Sequence, residues 1–198
     1  MTEDTISPAR ERVLDSAEKL FGERGYASVT MRDIANDLGM KQASLYYHAP
    51  GGKEALFTQV LERSLTRHQE GLERTLASAR PDIRTQLHVA ADWHLSQPPM
   101  NFIRMLRSDM SALPPDEAKR LSDIAYRAMI TPLASIFSAA QSRNEIRSTY
   151  PDVLAGSFLA TLDGIAFVRD TRETVHTPDQ MAQEIIRVFL EGLYRAAS

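Results

Sequence analysis

Apolar residues recur at intervals of three and four along most of the chain, the spacing that gathers side chains on one face of an α-helix. Val13, Ala17 and Phe21 form one such stripe, and Leu121 and Ala125 begin another. No segment shows the sustained alternation of apolar and polar residues that a half-buried strand requires. The pattern therefore predicts an all-α fold.

Prolines and polar caps divide this pattern into about nine helices. A proline in the first turn of a helix loses no hydrogen bond, and six prolines stand just before apolar runs: Pro8, Pro81, Pro99, Pro115, Pro151 and Pro178. The predicted helices span residues 8–24, 31–38, 42–48, 53–78, 81–97, 100–112, 115–143, 151–171 and 178–196. Pro132 lies inside a periodic run, which predicts a kink in that helix.

Two of these helices are short and lie close together near the N-terminus. The first reads M-R-D-I-A-N-D-L, the second reads Q-A-S-L-Y-Y-H, and Gly39-Met40-Lys41 separates them. Gly39 can adopt the positive φ that a tight turn between helices requires. This is the arrangement of a helix-turn-helix, in which the second helix enters a DNA major groove. An ordinary helical hairpin gives the same pattern, so the pattern alone leaves both interpretations open.

Charge supports the DNA-binding interpretation only locally. The net charge of −3 does not indicate nucleic-acid binding. No acidic residue lies between Leu38 and Lys53, however, whereas Lys41 and His48 do. A phosphate responds to charges within about a Debye length, roughly 8–10 Å, so this stripe matters more than the total.

Composition excludes several other classes of protein. The chain has no cysteine, which rules out disulfides and thiolate metal sites. The polar start MTEDTISPAR lacks the apolar core of a signal peptide, and no apolar run approaches the roughly 18 residues of a membrane span, so we expect a cytoplasmic protein without a membrane partner. The histidines form no metal-binding motif and no nucleophile has a catalytic context. We therefore predict no metal, no cofactor and no enzymatic activity; an all-helical enzyme would need a cluster of titratable groups that is missing here.

The stretch A-E-K-L-F-G-E-R-G-Y-A-S-V-T-M-R-D-I-A-N-D-L-G-M-K-Q-A-S-L-Y-Y-H, followed by Lys53, closely resembles the signature of the tetracycline-repressor (TetR) family, and the resemblance covers residues 17–61. One departure is an extra glycine in the run His48-Ala49-Pro50-Gly51-Gly52-Lys53. The resemblance implies a three-helix DNA-binding domain over residues 1–52 and a helical effector-binding and dimerisation domain over 53–198.

The resemblance and side-chain chemistry together assign the DNA contacts. Gln42 and Ser44 open the presumed recognition helix, where Gln can pair with adenine, and Ala43 suits a thymine methyl group. The residues expected mainly at the phosphates are Thr30, Arg32, Lys41, Tyr46, Tyr47, His48 and Lys53. For Tyr46 core packing, and for Lys41 a solvated turn, are the alternatives; Arg32 suits a phosphate or a guanine.

Aromatic and methionine side chains are concentrated in the middle helices. The family resemblance implies that they line a cavity for a small hydrophobic effector, although each also suits ordinary core packing. The candidate pocket residues are Trp93, His94, Phe102, Met105, Leu106, Met110, Tyr126, Met129, Phe137, Phe158 and Leu162.

The predicted helix over 151–171 is apolar on two opposite sides, so both sides must be buried. One side can cover its own domain, and the side with small residues permits close approach of a second helix. With helix 178–196 it predicts a homodimer interface formed by Val153, Gly156, Ala160, Gly164, Phe167, Ile185, Phe189 and Leu193.

We therefore expect a repressor that binds a pseudo-palindromic operator in double-stranded DNA as a dimer and is released by an effector. The alternative is a DNA-binding regulator of the same fold that is controlled by a protein.

Overall fold

The computed structural model describes residues 7–97, 108–171 and 175–194, and every regular element in these ranges is helical. The α-helices are α1 (Pro8–Arg24), α2 (Met31–Asp37), α3 (Gln42–His48), α4 (Gly52–Ser78), α5 (Ile83–Ser96), α6 (Pro115–Ala125), α7 (Thr131–Ser142), α8 (Pro151–Thr171) and α9 (Pro178–Leu193). The all-α prediction is confirmed. The helix predicted over 100–112 lies mostly outside the described residues, and its end is a short 3₁₀ turn, Met110–Ala112.

Side-chain caps begin four of these helices. Ser7 and Asp82 accept hydrogen bonds from the first turns of α1 and α5. Thr30 and Thr177 each form a reciprocal capping box, with Asp33 and Gln180 respectively. The predicted starts of α1, α2 and α9 are confirmed, whereas α5 begins at Ile83, after the predicted start at Pro81.

Pro132 distorts the helical run as predicted, but the distortion lies just before the proline. The backbone widens into a π-helical turn over Tyr126–Ile130 between α6 and α7. A proline cannot donate to the preceding turn, and its ring clashes with the carbonyl four residues earlier. A π-helical turn is one of the few ways in which a helix changes its hydrogen-bonding register without ending.

The described residues form two compact units. The first contains the chain up to Ser64 together with residues 108–122, and the second contains the rest. These units do not coincide with the predicted domains 1–52 and 53–198, because α4 contributes residues to both units. The assignment of separate DNA-binding and effector-binding roles to two domains stays a prediction.

Each unit has its own apolar core. In the first, α1 packs against α2 and α3, and Val13, Ala17, Ile34 and Leu45 are almost fully buried. In the second, α8 packs against α5, α7 and α9. Its core includes the fully buried side chains Leu87, Phe137, Phe158 and Ile186.

Residues Pro151–Val168 of α8 are long and apolar enough to cross a bilayer by length and composition. One face of this segment, with Ala155, Phe158, Leu159 and Leu162, is buried. Because α5, α7 and α9 pack against this helix, we interpret it as a core helix of a globular domain.

In the second unit, the Trp93 ring of α5 packs directly against Gly71 of α4. A Cβ atom at this position of α4 would lie 1.9 Å from Cζ2 of Trp93. The indole is fixed in place because its Nε1–H donates to the carbonyl oxygen of His68 at 3.1 Å.

We predict that Gly71→Ala lowers the free energy of unfolding by about 1–3 kcal/mol, because the new methyl group overpacks a fixed contact. Thermal unfolding measures the change. In a Trp93→Leu background the same substitution should be neutral or stabilising, since alanine normally exceeds glycine in helix stability by roughly 0.5–1 kcal/mol. Equal destabilisation in both backgrounds would show that the indole contact is not the cause.

Candidate functional site

The turn between α2 and α3 is a Schellman motif centred on Gly39. Its φ of 64° confirms the predicted left-handed conformation. The Gly39 N–H donates to the Asn36 carbonyl at 3.1 Å, and the Met40 N–H donates to the Ala35 carbonyl at 3.0 Å. The motif satisfies the last carbonyls of α2 and turns the chain sharply into α3.

Helix α3 exposes polar side chains on its outer face. Leu45 is completely buried and anchors the helix. Around it, five of the six residues predicted to contact DNA from this helix are exposed, namely Gln42, Ala43, Ser44, Tyr46 and Tyr47, whereas His48 is half-buried. Tyr46 is 43% exposed, so the core-packing alternative does not hold for this residue. Lys41 precedes the helix, is exposed and makes no side-chain cap.

Arg10 of α1 fixes the end of α3 and is absent from the predicted site. Its guanidinium donates to the main-chain carbonyl of His48 at 2.7 Å and to Oε1 of Gln59 in α4 at 2.7 Å. One side chain thus joins α1, α3 and α4. Arg10 lies on the polar side of a helix 38 residues from its partner, so periodicity carries no signal of this contact.

At the start of α2, Thr30 is committed to capping. Its hydroxyl donates to Asp33 at 2.6 Å and accepts the Asp33 N–H, while its own N–H donates to the same carboxylate at 2.8 Å. These bonds lower the pKa of Asp33. Both donors of Thr30 are therefore occupied, and a phosphate contact by Thr30 would have to break the capping box. Arg32, two residues further on, is exposed.

Two consecutive glycines shape the turn before Lys53. A Cβ atom at Gly51 would lie 2.5 Å from Cβ of Ala55, and Gly52 has a φ of 70°. The Lys53 Nζ that follows lies 4.2 Å from the centre of the Tyr26 ring, a cation–π distance. Partial burial lowers the pKa of Lys53. The extra glycine thus accompanies a Lys53 side chain held against an aromatic face.

The predicted pocket residues are dispersed. Phe102, Met105 and Leu106 lie outside the described residues, and Met110 is buried in the first unit. The other seven belong to the second unit. The four of these that are fully buried in its core are Met129, Phe137, Phe158 and Leu162. Tyr126 is 50% exposed.

Trp93 and His94 belong to a largely buried polar cluster in the second unit. Nε2 of His94 lies 3.1 Å from Oδ1 of Asp163 on α8, and both side chains are about nine-tenths buried. His68 of α4 packs edge-on against His94, with ring centres 5.5 Å apart. Nδ1 of His94 is buried without a hydrogen-bond partner among the described residues. The sequence carries no local signal for His68 or Asp163, because each contacts His94 from a different helix.

The side chains of this cluster are not arranged as a metal site. Within the described ranges, no group of three or more His, Cys, Asp or Glu side chains is arranged to hold a metal ion. Its chemistry is that of hydrogen bonding: Nε2 of His94 contacts Asp163, and Nδ1 has no partner among the described residues.

Comparison with known proteins identifies the chain. Residues 13–60 match the family model for bacterial regulatory proteins of the tetR family. The HTH-type transcriptional repressor KstR2 of Mycolicibacterium smegmatis is 32% identical, over 98% of this chain and 96% of that protein. The chain belongs to the TetR family. It is therefore a DNA-binding transcriptional repressor rather than an enzyme.

Solved structures agree with this TetR-family fold. A putative transcriptional regulator from Saccharomonospora viridis, in complex with choline, has a TM-score of 0.73 and 25% identity, covering 95% of this chain and 98% of that one. AibR, in complex with isovaleryl coenzyme A and operator DNA, has a TM-score of 0.73 and 20% identity, covering 90% and 96% of the two chains.

The TetR-family chain also exposes an apolar surface on α8 and α9. Val153 and Phe167 of α8 are 59% and 61% exposed. The remaining predicted interface residues that are exposed or half-buried are Gly156, Ala160, Gly164, Ile185 and Phe189. Leu193 departs from the prediction: it is only 3% exposed and supports α9 from inside its own core. Val188, absent from the predicted set, is 57% exposed.

His68 makes the stability of the second unit depend on pH. Burial first, and then the neighbouring His94 and Arg67, lower the pKa of His68 from 6.5 to about 4. As the pH falls below 6.5, His68 becomes protonated in the unfolded chain, whereas in the folded chain it stays neutral until the pH approaches 4. The contribution of His68 to stability is therefore complete above pH 6.5 and declines progressively towards pH 4.

We predict that the free energy of unfolding falls between pH 7 and pH 5 by about 2 kcal/mol more in the parent protein than in a His68→Phe variant, because phenylalanine removes this titration. Urea unfolding at both pH values measures the two losses. Parallel losses in the two proteins would show that His68 is protonated equally easily in the folded and unfolded chains.

Proposed function

We propose that this TetR-family repressor occupies a pseudo-palindromic operator as a homodimer and leaves it when a small effector binds. The observation that carries the proposal is the outer face of α3, where exposed polar side chains surround the completely buried anchor Leu45. A helix presented in this way can insert into a major groove without losing its own packing. A repressor of this kind acts in the cytoplasm, where the DNA is.

Base reading falls to the start of α3. Gln42, Ala43 and Ser44 are consecutive and exposed, and glutamine can form two hydrogen bonds with adenine. The residues that position the protein on the DNA phosphate backbone are Arg32, Lys41, Tyr46, Tyr47, His48 and Lys53. Thr30 contributes mainly by capping α2, because its donors are already bonded to Asp33.

The two kinds of contact predict different mutant behaviour. Gln42→Ala should weaken binding to the preferred operator by about 1–3 kcal/mol and change base preference at one position of each half-site. Lys53→Ala should weaken binding to all sequences alike and lower the salt slope by about one unit. Titration of a selected operator and a mixed-sequence duplex at several salt concentrations measures both. An equal loss of affinity for both duplexes in Gln42→Ala would show that Gln42 contacts the DNA phosphate backbone instead of a base.

The dimer in this proposal forms through α8 and α9. A single recognition helix spans too few base pairs for specificity in a genome, so two helices at a set separation are needed. The α8–α9 surface offers exposed Val153, Phe167 and Val188 beside small residues. At Gly164 a Cβ atom would meet nothing within 4 Å in the single chain, which leaves room for the helix of a partner.

Gly164→Leu should weaken the dimer by about 1–3 kcal/mol, since a bulky side chain overpacks the closest approach. Sedimentation and operator titration measure dimer and DNA affinity, and both should fall while far-UV circular dichroism stays unchanged. Ser138→Leu, which adds the same side chain at an exposed position of α7, is the matched control and should leave both unchanged. A Gly164→Leu protein that remains fully dimeric would rule out this interface.

The effector in this proposal is a small organic molecule with an apolar body and one polar group. Two solved structural relatives hold small organic ligands, choline in one case and isovaleryl coenzyme A in the other. Nδ1 of His94, which has no hydrogen-bond partner among the described residues, offers a buried hydrogen-bonding atom, and the contact with Asp163 orients the ring. Thermal-shift screening with small organic compounds, repeated on a His94→Phe variant, tests this part of the proposal. If the repressor is regulated by a protein instead, no compound should raise the melting temperature of either the parent or the variant.

A further inference from the structure

The loop between α1 and α2 is held by a residue from a distant part of the chain. The main-chain N–H of Tyr26 donates to Oδ1 of Asp109 at 2.9 Å, across 83 residues of sequence. Asp109 is only 5% exposed. A carboxylate that accepts a main-chain N–H forms a charge-assisted hydrogen bond, which is stronger than a neutral one.

The segment that carries Asp109 is anchored independently of this bond. Met110 and Leu113 beside it are buried. On the following helix, Glu117 accepts a hydrogen bond from Thr58 of α4 at 3.2 Å, and Arg120 forms ion pairs with Glu117 and Glu62. Residues 108–122 are therefore packed within the same compact unit as the DNA-binding helices. The segment that carries Asp109 is thus held in place by its own contacts, and the hydrogen bond of Asp109 attaches the Tyr26 loop to it.

The side chain of Tyr26 in turn contacts Lys53. Its ring lies 4.7 Å from the Phe57 ring and 6.0 Å from the Phe21 ring, which limits the ring to one orientation. The Lys53 ammonium lies over the ring centre at 4.2 Å. An aromatic face that holds a lysine restricts its many rotamers before DNA arrives, so less conformational entropy is lost on binding.

We propose that Asp109 is a positioning residue for DNA binding: it fixes the Tyr26 loop, and the Tyr26 ring holds the Lys53 ammonium in the orientation that meets a phosphate. This inference rests on the phosphate contact of Lys53 in the proposed function. It adds a residue that lies far from the helix-turn-helix in sequence and does not itself touch DNA.

The sign of the expected effect separates positioning from simple electrostatics. Removal of a negative charge near a DNA-binding surface strengthens binding to any duplex, because repulsion of the phosphates decreases. Loss of a positioning hydrogen bond weakens binding instead. Asp109→Ala should weaken binding to a selected operator duplex about threefold to tenfold, although the loss of the negative charge alone would strengthen it.

Two matched variants control for charge and geometry. Asp109→Asn removes the charge but retains an oxygen that accepts the Tyr26 N–H, so its affinity should stay within about twofold of the parent. Asp116→Ala removes an exposed carboxylate from the first turn of α6 and should leave binding unchanged or slightly stronger. In a Lys53→Ala background, Asp109→Ala should have little further effect, because the two residues act through one contact.

Nuclear magnetic resonance reports the geometry directly. The ε-methylene protons of Lys53 should be shifted upfield by the Tyr26 ring in the parent and in Asp109→Asn, and this shift should diminish in Asp109→Ala. Amide exchange of Tyr26 should accelerate in Asp109→Ala alone. If Asp109→Ala does not fold, Tyr26→Leu tests the same step, since it removes the ring and should reduce both the Lys53 shift and DNA affinity.

The outcomes distinguish this inference from the proposed function. A parent protein that binds no duplex overturns the proposed function itself. A parent that binds while Lys53→Ala keeps its salt slope removes the phosphate contact and the inference with it. Unchanged or tighter binding by Asp109→Ala, an equal loss in the Lys53→Ala background, or weaker binding with an unaltered Lys53 shift would each overturn the role of Asp109.

Discussion

The DNA-binding unit depends on the burial of one side chain, Leu45. Helix α3 has only seven residues, and a helix of that length is unstable by itself in water. It persists because Leu45 is completely buried and because α3 contacts both α1 and α2. The same burial turns the polar side chains beside Leu45 outward. Stability of the helix and presentation of its reading face are thus consequences of one packing contact.

Polar contacts from α1 and from residues 108–122 then determine where each part of this unit lies. Arg10 holds the end of α3, and the Ser16 hydroxyl with the Lys19 ammonium holds Asp37 at the end of α2 and lowers the pKa of that carboxyl. Asp109 holds the Tyr26 loop. The bonds of Arg10, Ser16 and Asp109 are short and directional, so they specify position more than they add stability.

The second unit combines tight and open packing. The Trp93 ring occupies the space where a Cβ atom at Gly71 would lie, whereas Gly164 on α8 faces open space. Beside the tight contact, His68 and His94 are buried with Asp163. Nδ1 of His94 has no hydrogen-bond partner among the described residues, and a buried polar atom without a partner is costly.

The sequence by itself determined the helices, their caps, the left-handed Gly39 and the outward residues of α3, because periodicity, capping and φ are local properties set by residues within one or two turns. It also indicated that α8 has two apolar sides. Only the tertiary structure decided which polar groups meet: Arg10 with His48, Asp109 with Tyr26 and His94 with Asp163 are separated by 38, 83 and 69 residues. It also decided that Leu193 points into the core and that the N–H and hydroxyl of Thr30 are both bonded to Asp33. Such pairings follow from the three-dimensional packing of whole helices, and a single sequence carries no periodic signal for them.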